Sequence, residues 1–151
     1  MKILAAVDRS DTSRAVLDMT LEIAGGTGAE VLLVNVAPRD PDVFGRQVTR
    51  KVITEPVPEE LLDRRELLDV HSAELTEAGI QCETLLIRGD PGRTLLREAD
   101  RWGANLILMG SHGRGAIYRK LMGSVSQAVM LDRRFPVLVV PAAGHGKELN
   151  G

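Results

Sequence analysis

The amino-acid sequence predicts an α/β domain built around a parallel sheet. Five short apolar runs, dominated by Val, Ile and Leu, recur along the 151 residues. Runs of this length and composition are typical of strands that are buried on both faces of a sheet. The segments between them carry helical patterns, and strands that alternate with helices form parallel sheets through right-handed crossovers. The apolar runs are 3–7, 31–36, 84–87, 106–109 and 137–140.

The first two gaps between the apolar runs each predict one helix. In residues 11–25, the apolar side chains of Ala15, Met19 and Ile23 fall on one stripe, which is typical of a helix with one buried face. Residues 58–78 carry leucines seven residues apart, and this spacing also places them on one helical face. We therefore expect the order strand, helix, strand, helix in the first half of the chain.

The last two gaps predict shorter helices. Residues 91–102 follow Asp90 and begin with Pro91, a helix-capping residue followed by proline in the first turn. Residues 124–132 carry apolar side chains at helical spacing. The run at 84–87 is preceded by polar residues, so we expect this third strand at an edge of the sheet.

Two internal segments and the tail fit none of these elements. Residues 37–57 contain several prolines among charged residues, and a connection of this length in a compact domain is usually functional or mobile. Residues 111–122 separate the fourth strand from the last helix. We expect a single domain over residues 1–142, followed by a disordered tail at 143–151.

The composition excludes several classes of function. A net charge of −2 and an aromatic content of 3% argue against a nucleic-acid surface or a base-stacking platform. The longest apolar runs fall far short of the roughly 20 residues of a membrane helix. The single Cys82 excludes an internal disulfide and a cysteine-based zinc cage, and we interpret it as structural. We therefore expect a cytoplasmic protein that binds neither nucleic acid nor membranes.

A ligand is expected at the carboxyl ends of the strands, where open parallel sheets bind their ligands. Asp8 and Ser10 follow the first strand, and a glycine-rich loop follows the fourth. In that loop, Gly110 and Gly113 leave the backbone without side chains where it would meet a ligand. Gly123 then precedes a helix, whose first-turn N–H groups attract anions.

The charge pattern agrees with a bound phosphate chain. Residues 101–131 contain no Asp or Glu, whereas four cations, Arg114 among them, give this stretch a charge of +4. His112 lies in the same loop and faces either phosphate or solvent. Asp8 is placed to accept hydrogen bonds from ribose hydroxyls, as an acidic residue does in dinucleotide-binding folds. These observations predict a nucleotide with its sugar near Asp8 and its phosphates over residues 110–125.

Several of these residues also fit purely structural roles. Ser124 with Gln127 matches a capping box, Asp8 is also a candidate cap of the first helix, and the loop glycines also suit ordinary turns. We interpret Asp90 as a helix cap. His71 falls on the leucine stripe of its helix, so we interpret it as a packed residue.

Common phosphate, hydrolase and metal motifs are absent from the sequence. There is no G-x-x-x-x-G-K-[ST], so the phosphates are not held by a Walker loop. There is no G-x-S-x-G nucleophile motif and no pair of histidines at metal-ligand spacing. We therefore assign neither catalytic residues nor metal ligands.

The glycine-rich loop resembles the ATP-binding signature of universal stress proteins, G-2x-G-9x-G-[S/T]. The signature positions are Gly110, Gly113, Gly123 and Ser124. The end of the first strand, with Asp8 followed two residues later by Ser, resembles the same family, and so does the final strand at 138–141. The resemblance extends from residue 1 to about residue 142. Arg9 is a departure, because a small residue is frequent there in the family.

The resemblance implies a doubly wound, five-stranded parallel sheet in the order 3-2-1-4-5, with helices on both faces. It implies that ATP, with Mg²⁺ as an expected companion, binds between strands one and four. It also implies a homodimer that pairs through the fifth strand. The residues of that strand are Val137, Leu138, Val139 and Val140.

The resemblance also implies which residues contact the nucleotide. Asp8 matches a ribose or base contact, and Val36 a backbone contact to the base. Met109 and Gly110 match positions beside the ribose, and the remaining matches are phosphate contacts. With three neighbours of these positions, the predicted binding residues are Asp8, Ser10, Val36, Met109, Gly110, His112, Gly113, Arg114, Gly123, Ser124 and Val125.

The sequence therefore indicates a nucleotide-responsive regulator of the stress response rather than a fast enzyme. Hydrolysis needs an oriented water, and His112 is the only candidate general base near the phosphates. A slow ATPase or a nucleotidyltransferase of a related α/β type stays open, although the latter would carry H-x-G-H where residues 8–11 read DRSD. A module that binds no nucleotide is the third possibility, and the intact glycine signature disfavours it.

Overall fold

The computed structural model describes residues 1–39, 50–111 and 123–141. Four helices and a short 3₁₀ turn alternate with the strands of one sheet. The elements are β1 (Lys2–Ala6), α1 (Thr12–Thr27), β2 (Glu30–Ala37), β3 (Lys51–Val52), a 3₁₀ turn (Glu59–Leu61), α2 (Leu62–Glu77), β4 (Cys82–Arg88), α3 (Pro91–Trp102), β5 (Leu106–Gly110), α4 (Ser124–Asp132) and β6 (Val137–Val140). The expected α/β class is confirmed.

The sheet has six strands in the order β3-β4-β2-β1-β5-β6 and is mixed, so the expected five-stranded, all-parallel sheet in the order 3-2-1-4-5 is wrong. The extra strand is β3, where Lys51 and Val52 pair antiparallel with Arg88 and Ile87. The sequence did not reveal β3, because two residues are too few to show an alternating pattern. The other strand pairs are parallel. β3 covers only the carboxyl end of β4; the rest of β4 has β2 as its one neighbouring strand in the described structure, so the expected edge position applies to most of its length.

The central strands are buried because each face of the sheet carries helices. Alternate side chains along β1 illustrate this: Ile3 and Ala5 pack with residues of α1 and α2, whereas Leu4 packs with residues of α3 and α4. β2 divides its side chains between the same two clusters. Strands buried on both faces lose the alternation of polar and apolar residues, which explains the continuous apolar runs.

Two helix features agree with the local sequence. Asp90 caps α3, because its Oδ2 accepts a hydrogen bond from the backbone N–H of Arg93 at 3.1 Å. His71 lies on α2 with 9% of its surface exposed, and neither ring nitrogen has a hydrogen-bond partner in the described structure. Burial lowers the pKa of His71, while Glu74 raises it and Arg14 lowers it further. Both interpretations from the sequence, the cap and the packed histidine, are confirmed.

The described helices include none that is long and apolar enough to cross a bilayer. The expected tail at 143–151 lies outside the described residues. Of the segment 37–57, the structure describes only its two ends, which include β3.

Candidate functional site

A cavity of about 930 Å³ lies at the carboxyl ends of β1, β2, β4 and β5. This volume is within the range of small-molecule sites, about 300–1,000 Å³. β1 lies next to β5 in the sheet. The chain continues from β1 to β2 on one side and from β5 to β6 on the other, so the strand order reverses between β1 and β5. The cavity lies at this switch point of the fold. The predicted site residues that line it are Asp8, Val36, Met109, Gly110, Gly123, Ser124 and Val125.

Asp8 is held in place through one of its two carboxylate oxygens. Its Oδ1 accepts hydrogen bonds from the backbone N–H of Ser10 at 2.7 Å and from the Ser13 hydroxyl at 3.0 Å. The backbone N–H of Asp8 donates to the same hydroxyl at 2.7 Å. Within the described structure, Oδ2 has no protein partner, so this oxygen is available to accept hydrogen bonds from a ligand in the cavity.

Asp8 does not cap α1, which was one of the roles that the sequence left open. The residue before that helix is Asp11, and no side chain caps it. Ser10 is a predicted site residue that does not line the cavity. Its hydroxyl shares a hydrogen bond of 2.8 Å with the Thr12 hydroxyl, and its backbone N–H orients Asp8. In the structure Ser10 therefore supports the Asp8 carboxylate, and its direct contact with a ligand stays a prediction.

Gly110 is required by packing against α1. A Cβ atom on Gly110 would lie 2.6 Å from the Cβ of Thr12, far inside normal contact distance. This contact explains the glycine without a ligand, whereas the sequence attributed the missing side chain to ligand approach. Gly110 still lines the cavity, so both roles are compatible.

The start of α4 is anchored to the end of β5. The Gly123 N–H donates to the Ser111 carbonyl at 2.8 Å, and the Ser126 hydroxyl donates to the Gly110 carbonyl at 2.8 Å. The helix begins at Ser124, with Gly123 as its cap residue and no side-chain cap. The capping box is thus absent, and the first-turn N–H groups meet no capping side chain. An uncapped N-terminus that opens onto a cavity favours a bound anion.

Three predicted site residues, His112, Gly113 and Arg114, lie outside the described residues. Their assignment to the phosphate site stays a prediction. Among the residues of the three described ranges, no group of three or more His, Cys, Asp or Glu side chains is arranged to hold a metal ion.

Comparison with known proteins identifies the family. Residues 1–141 match the sequence model of the Universal stress protein family. The chain belongs to this family. A curated relative, universal stress protein YxiE of Bacillus subtilis, is 32% identical over 148 residues, which covers 92% of this chain and 97% of the relative.

Solved universal stress proteins share the fold. One from Burkholderia pseudomallei is 30% identical, with a TM-score of 0.68, over 93% of this chain and 96% of that chain. One from Archaeoglobus fulgidus, solved in complex with dAMP, is 25% identical, with a TM-score of 0.67, over 93% of this chain and 97% of that chain.

This universal stress protein also carries arginines on the cavity lining that sequence reasoning did not assign to the site. They are Arg9, Arg39, Arg64 and Arg93. Arg9 forms an ion pair with Asp63 at 2.6 Å. The sequence signal was weak, because the arginines come from different parts of the chain and only Arg9 lies within a predicted motif, between Asp8 and Ser10.

Arg64 belongs to a hydrogen-bonded chain that shapes the β2 side of the cavity. Its Nη1 donates to the Asn35 Oδ1 at 2.8 Å and, at 3.4 Å, to the Val36 carbonyl. The Asn35 side chain is buried and donates in turn to the Val7 carbonyl at 2.9 Å. The ends of β1 and β2 are thereby joined to α2 beside the cavity.

Proposed function

We propose that this universal stress protein is a cytoplasmic, ATP-binding regulator of the stress response, with residues 1–142 as its nucleotide-binding domain. The observation that carries the proposal is the cavity, whose lining includes both Asp8, with one carboxylate oxygen unbonded in the described structure, and the uncapped start of α4. A carboxylate suits ribose hydroxyls, and a helix N-terminus suits phosphates. The dAMP complex of the Archaeoglobus fulgidus relative supports a nucleotide as the ligand class.

In this proposal, the phosphates lie over residues 123–125 and the ribose lies at Asp8. The backbone of Val36, at the end of β2, contacts the base. Mg²⁺ accompanies the phosphates and is coordinated by their oxygens and by water, since this ion usually keeps several waters and takes few protein ligands. The loop residues His112, Gly113 and Arg114 complete the phosphate site.

We propose a regulator rather than a fast enzyme. Phosphoryl transfer to water needs a group that orients the attacking water and groups that stabilise the transferring phosphoryl. On the described part of the cavity lining, the only carboxylates are Asp8 and Asp90. Asp8 is assigned to ribose and Asp90 caps α3, so neither is available as a general base. A slow ATPase is the alternative that turnover measurements distinguish.

The site assignment is tested by Asp8→Asn. The asparagine retains an acceptor for Ser10 and Ser13 but replaces the open oxygen by an amide donor. Loss of charge-assisted hydrogen bonds, each about 1.5–3 kcal/mol, lowers ATP affinity by about tenfold or more. Isothermal titration with ATP and with 2′,3′-dideoxy-ATP separates the contacts, because the dideoxy nucleotide lacks the hydroxyls.

We expect weak dideoxy-ATP binding that the Asp8→Asn substitution does not change. The matched control is Asp11→Asn, an exposed carboxylate before α1 that does not line the cavity. Equal losses for both nucleotides would assign Asp8 a structural role. A folded wild-type protein that binds no ATP would refute the proposed function itself.

We also propose a homodimer that pairs through β6. This strand is the last of the sheet, and its residues Val137, Leu138 and Val139 are only partly buried. Leu131 at the end of α4 is 71% exposed. An apolar edge strand is prone to uncontrolled pairing unless another chain covers it, and two-fold pairing closes the edge.

The homodimer is tested by sedimentation at micromolar concentration. Val139→Pro removes a backbone donor and is expected to give a folded monomer, whereas the control Val139→Thr keeps the donor and the branched shape and should stay dimeric. A monomeric wild type, or a folded and dimeric Val139→Pro, would contradict pairing through this strand.

A further inference from the structure

One face of β2 carries three apolar side chains and one polar side chain. Val31, Leu33 and Ala37 belong to the core cluster that α1 and α2 cover, and Asn35 alternates with them on the same face. Only 1% of Asn35 is exposed. Burial of an amide costs free energy unless its polar atoms form hydrogen bonds. The presence of an asparagine in this apolar face therefore requires an explanation.

Both polar atoms of the Asn35 side chain are hydrogen-bonded. Its Nδ2 donates to the Val7 carbonyl at 2.9 Å, and its Oδ1 accepts from the Arg64 Nη1 at 2.8 Å. The Val7 carbonyl belongs to the peptide group that joins Val7 to Asp8. The N–H of the same peptide group donates to the Ser13 hydroxyl at 2.7 Å. Side chains from β2 and from α1 thus fix both polar groups of the peptide that precedes the Asp8 carboxylate.

Arg64 determines which way the Asn35 amide faces. A guanidinium group carries five N–H donors and no acceptor, so the atom that faces it must be the amide oxygen. The amide nitrogen is then directed to the Val7 carbonyl. A reversed amide would place donor against donor at Arg64 and acceptor against acceptor at Val7. Arg64 lies in the first turn of α2, so this helix contributes to the position of the peptide before Asp8.

The position of this peptide affects the cavity through Asp8. Ser10 and Ser13 hold the Asp8 carboxylate from within the adjoining loop and helix, whereas Asn35 ties the preceding carbonyl to β2. Rotation of the peptide would move the whole Asp8 side chain, including the oxygen that is assigned to ribose. Hydrogen bonds weaken steeply when their angle departs from linearity, so a small rotation would weaken the contacts with the sugar.

We propose that Asn35, oriented by Arg64, is a positioning residue that holds the Asp8 carboxylate in place for the ribose hydroxyls. This inference rests on the proposed function and deepens it, because it names a residue that sets the preference of the site for ribose. Asn35 is not part of the described cavity lining and acts only through Asp8.

The test is Asn35→Asp, measured by isothermal titration at pH 8 with ATP and with 2′,3′-dideoxy-ATP. The aspartate keeps the size of the side chain and an acceptor for Arg64, but it places a carboxylate oxygen against the Val7 carbonyl. We expect ATP affinity to fall about tenfold, as for the loss of hydrogen bonds to a charged group, and dideoxy-ATP affinity to stay within about twofold. The ratio of the two dissociation constants therefore approaches one.

The ratio separates positioning from other effects of the substitution. Both nucleotides carry the same triphosphate and base, so the added negative charge acts on them equally. A general loss of order at the cavity also weakens both nucleotides. Only a displaced sugar contact lowers the affinity for ATP and leaves that for dideoxy-ATP unchanged.

A second pair of variants tests the orientation by Arg64 and decides the proposal if Asn35→Asp does not fold. Arg64→Met removes the donor that fixes the amide, and we expect the ratio to fall toward one. Arg64→Lys keeps a charged donor on a long side chain and should restore most of the ratio. The loss of charge in Arg64→Met acts equally on the two triphosphates.

The matched control is Asn105→Asp, which makes the same substitution just before β5, at the opposite end of the strands. The Asn105 Oδ1 accepts from the backbone N–H of Lys2 at 2.7 Å, an acceptor role that aspartate retains. Asn105 is exposed and does not line the cavity, so both affinities and their ratio should stay at the wild-type values. Thermal melts confirm that each variant is folded.

Equal losses for the two nucleotides in a folded Asn35→Asp, or unchanged ATP affinity, would assign Asn35 a purely structural role. If Asp8→Asn lowers the ratio in the same assay, such a result overturns this inference and leaves the nucleotide site intact. An unchanged ratio in Arg64→Met would overturn the orientation by Arg64. Wild-type protein that binds no ATP would overturn the proposed function together with the inference.

Discussion

Gly110 offers a test of whether packing or ligand binding requires a glycine at the end of β5. A Cβ atom there would lie 2.6 Å from the Cβ of Thr12, against an optimum of about 3.5–4.0 Å between carbon atoms. The shortfall is about 1 Å. Both Cβ atoms are fixed to their backbones, so rotation of a side chain cannot relieve the contact. The first turn of α1 must move away from β5 instead.

Gly110→Ala is therefore expected to destabilise the protein by about 1–3 kcal/mol, the usual cost of overpacking. In a chain of this size, each kcal/mol lowers the melting temperature by about 2–4 °C. The sign of this change in stability is informative. Gly110 is not among the glycines with positive φ, so backbone strain does not explain a loss of stability in the alanine variant. Where the backbone is unstrained and space is available, Gly→Ala stabilises by about 0.4–1 kcal/mol. Urea unfolding measures the difference.

Gly25→Ala is the matched control. Gly25 lies inside α1, and a Cβ atom there would meet nothing within 4 Å. Alanine in a helix interior is favoured over glycine by about 0.5–1 kcal/mol, so this variant should be more stable than wild type. The same substitution is thus expected to have opposite signs at the two glycines.

Thr12→Gly removes the atom that the new methyl group would strike. The double variant Thr12→Gly with Gly110→Ala should lose at least about 1 kcal/mol less than the sum of the single losses. Contacts that do not interact add within about 0.3–0.5 kcal/mol, so additivity would refute the packing explanation. ATP affinity of the double variant should match that of Thr12→Gly within about twofold. Weaker binding by the folded double variant would show that the ligand also requires the glycine.

Three further predictions concern pH, a buried ion pair and turnover. Burial lowers the pKa of His71 in the folded state, so below about pH 6.5 the unfolded state binds more protons than the folded state. The free energy of unfolding should therefore fall as pH falls through this range, and it should fall less steeply in His71→Leu. Arg50→Gln leaves the buried carboxylate of Glu98 without its partner at 2.6 Å and should cost about 3 kcal/mol in urea unfolding, part of which the double variant with Glu98→Gln recovers. Phosphate release from ATP should stay below about 1 s⁻¹, and faster turnover that depends on Gly123 would favour an ATPase.

The parts of the site that the sequence predicted are those formed by neighbours along the chain. Asp8 and its supporting serines lie within six residues, and Gly123 and Ser124 are adjacent. Short segments of this kind adopt their geometry through local hydrogen bonds, so spacing in the sequence is a direct guide to them. The placement of both segments at one cavity needed only the expectation that β1 and β5 are neighbours, which their pairing confirms.

β3 was missed for the opposite reason. Its two residues carry no pattern of their own and become a strand only because the end of β4 offers unpaired backbone groups. Arg50, directly before β3, is fixed by the ion pair with Glu98 on α3. Such a strand forms because of tertiary contacts, and the local periodicity of the sequence gives no information about those contacts.

The charged residues of the cavity lining are the part of the site that the sequence predicted least well. A contiguous stretch without acidic residues, 101–131, drew attention to the region before α4, because adjacency in sequence already placed its charges together. The arginines of the described lining come instead from the exits of β1 and β2 and from α2 and α3, as many as 84 residues apart between Arg9 and Arg93. None stands out in its own segment, because Arg9, Arg39 and Arg64 each stand directly beside an aspartate in the sequence. Only the folded arrangement of these elements brings the arginines to one cavity, so the positive charge of its lining is a property of the fold. The glycine signature, which predicts where phosphates bind, therefore carries no information about the residues at the opposite end of the cavity.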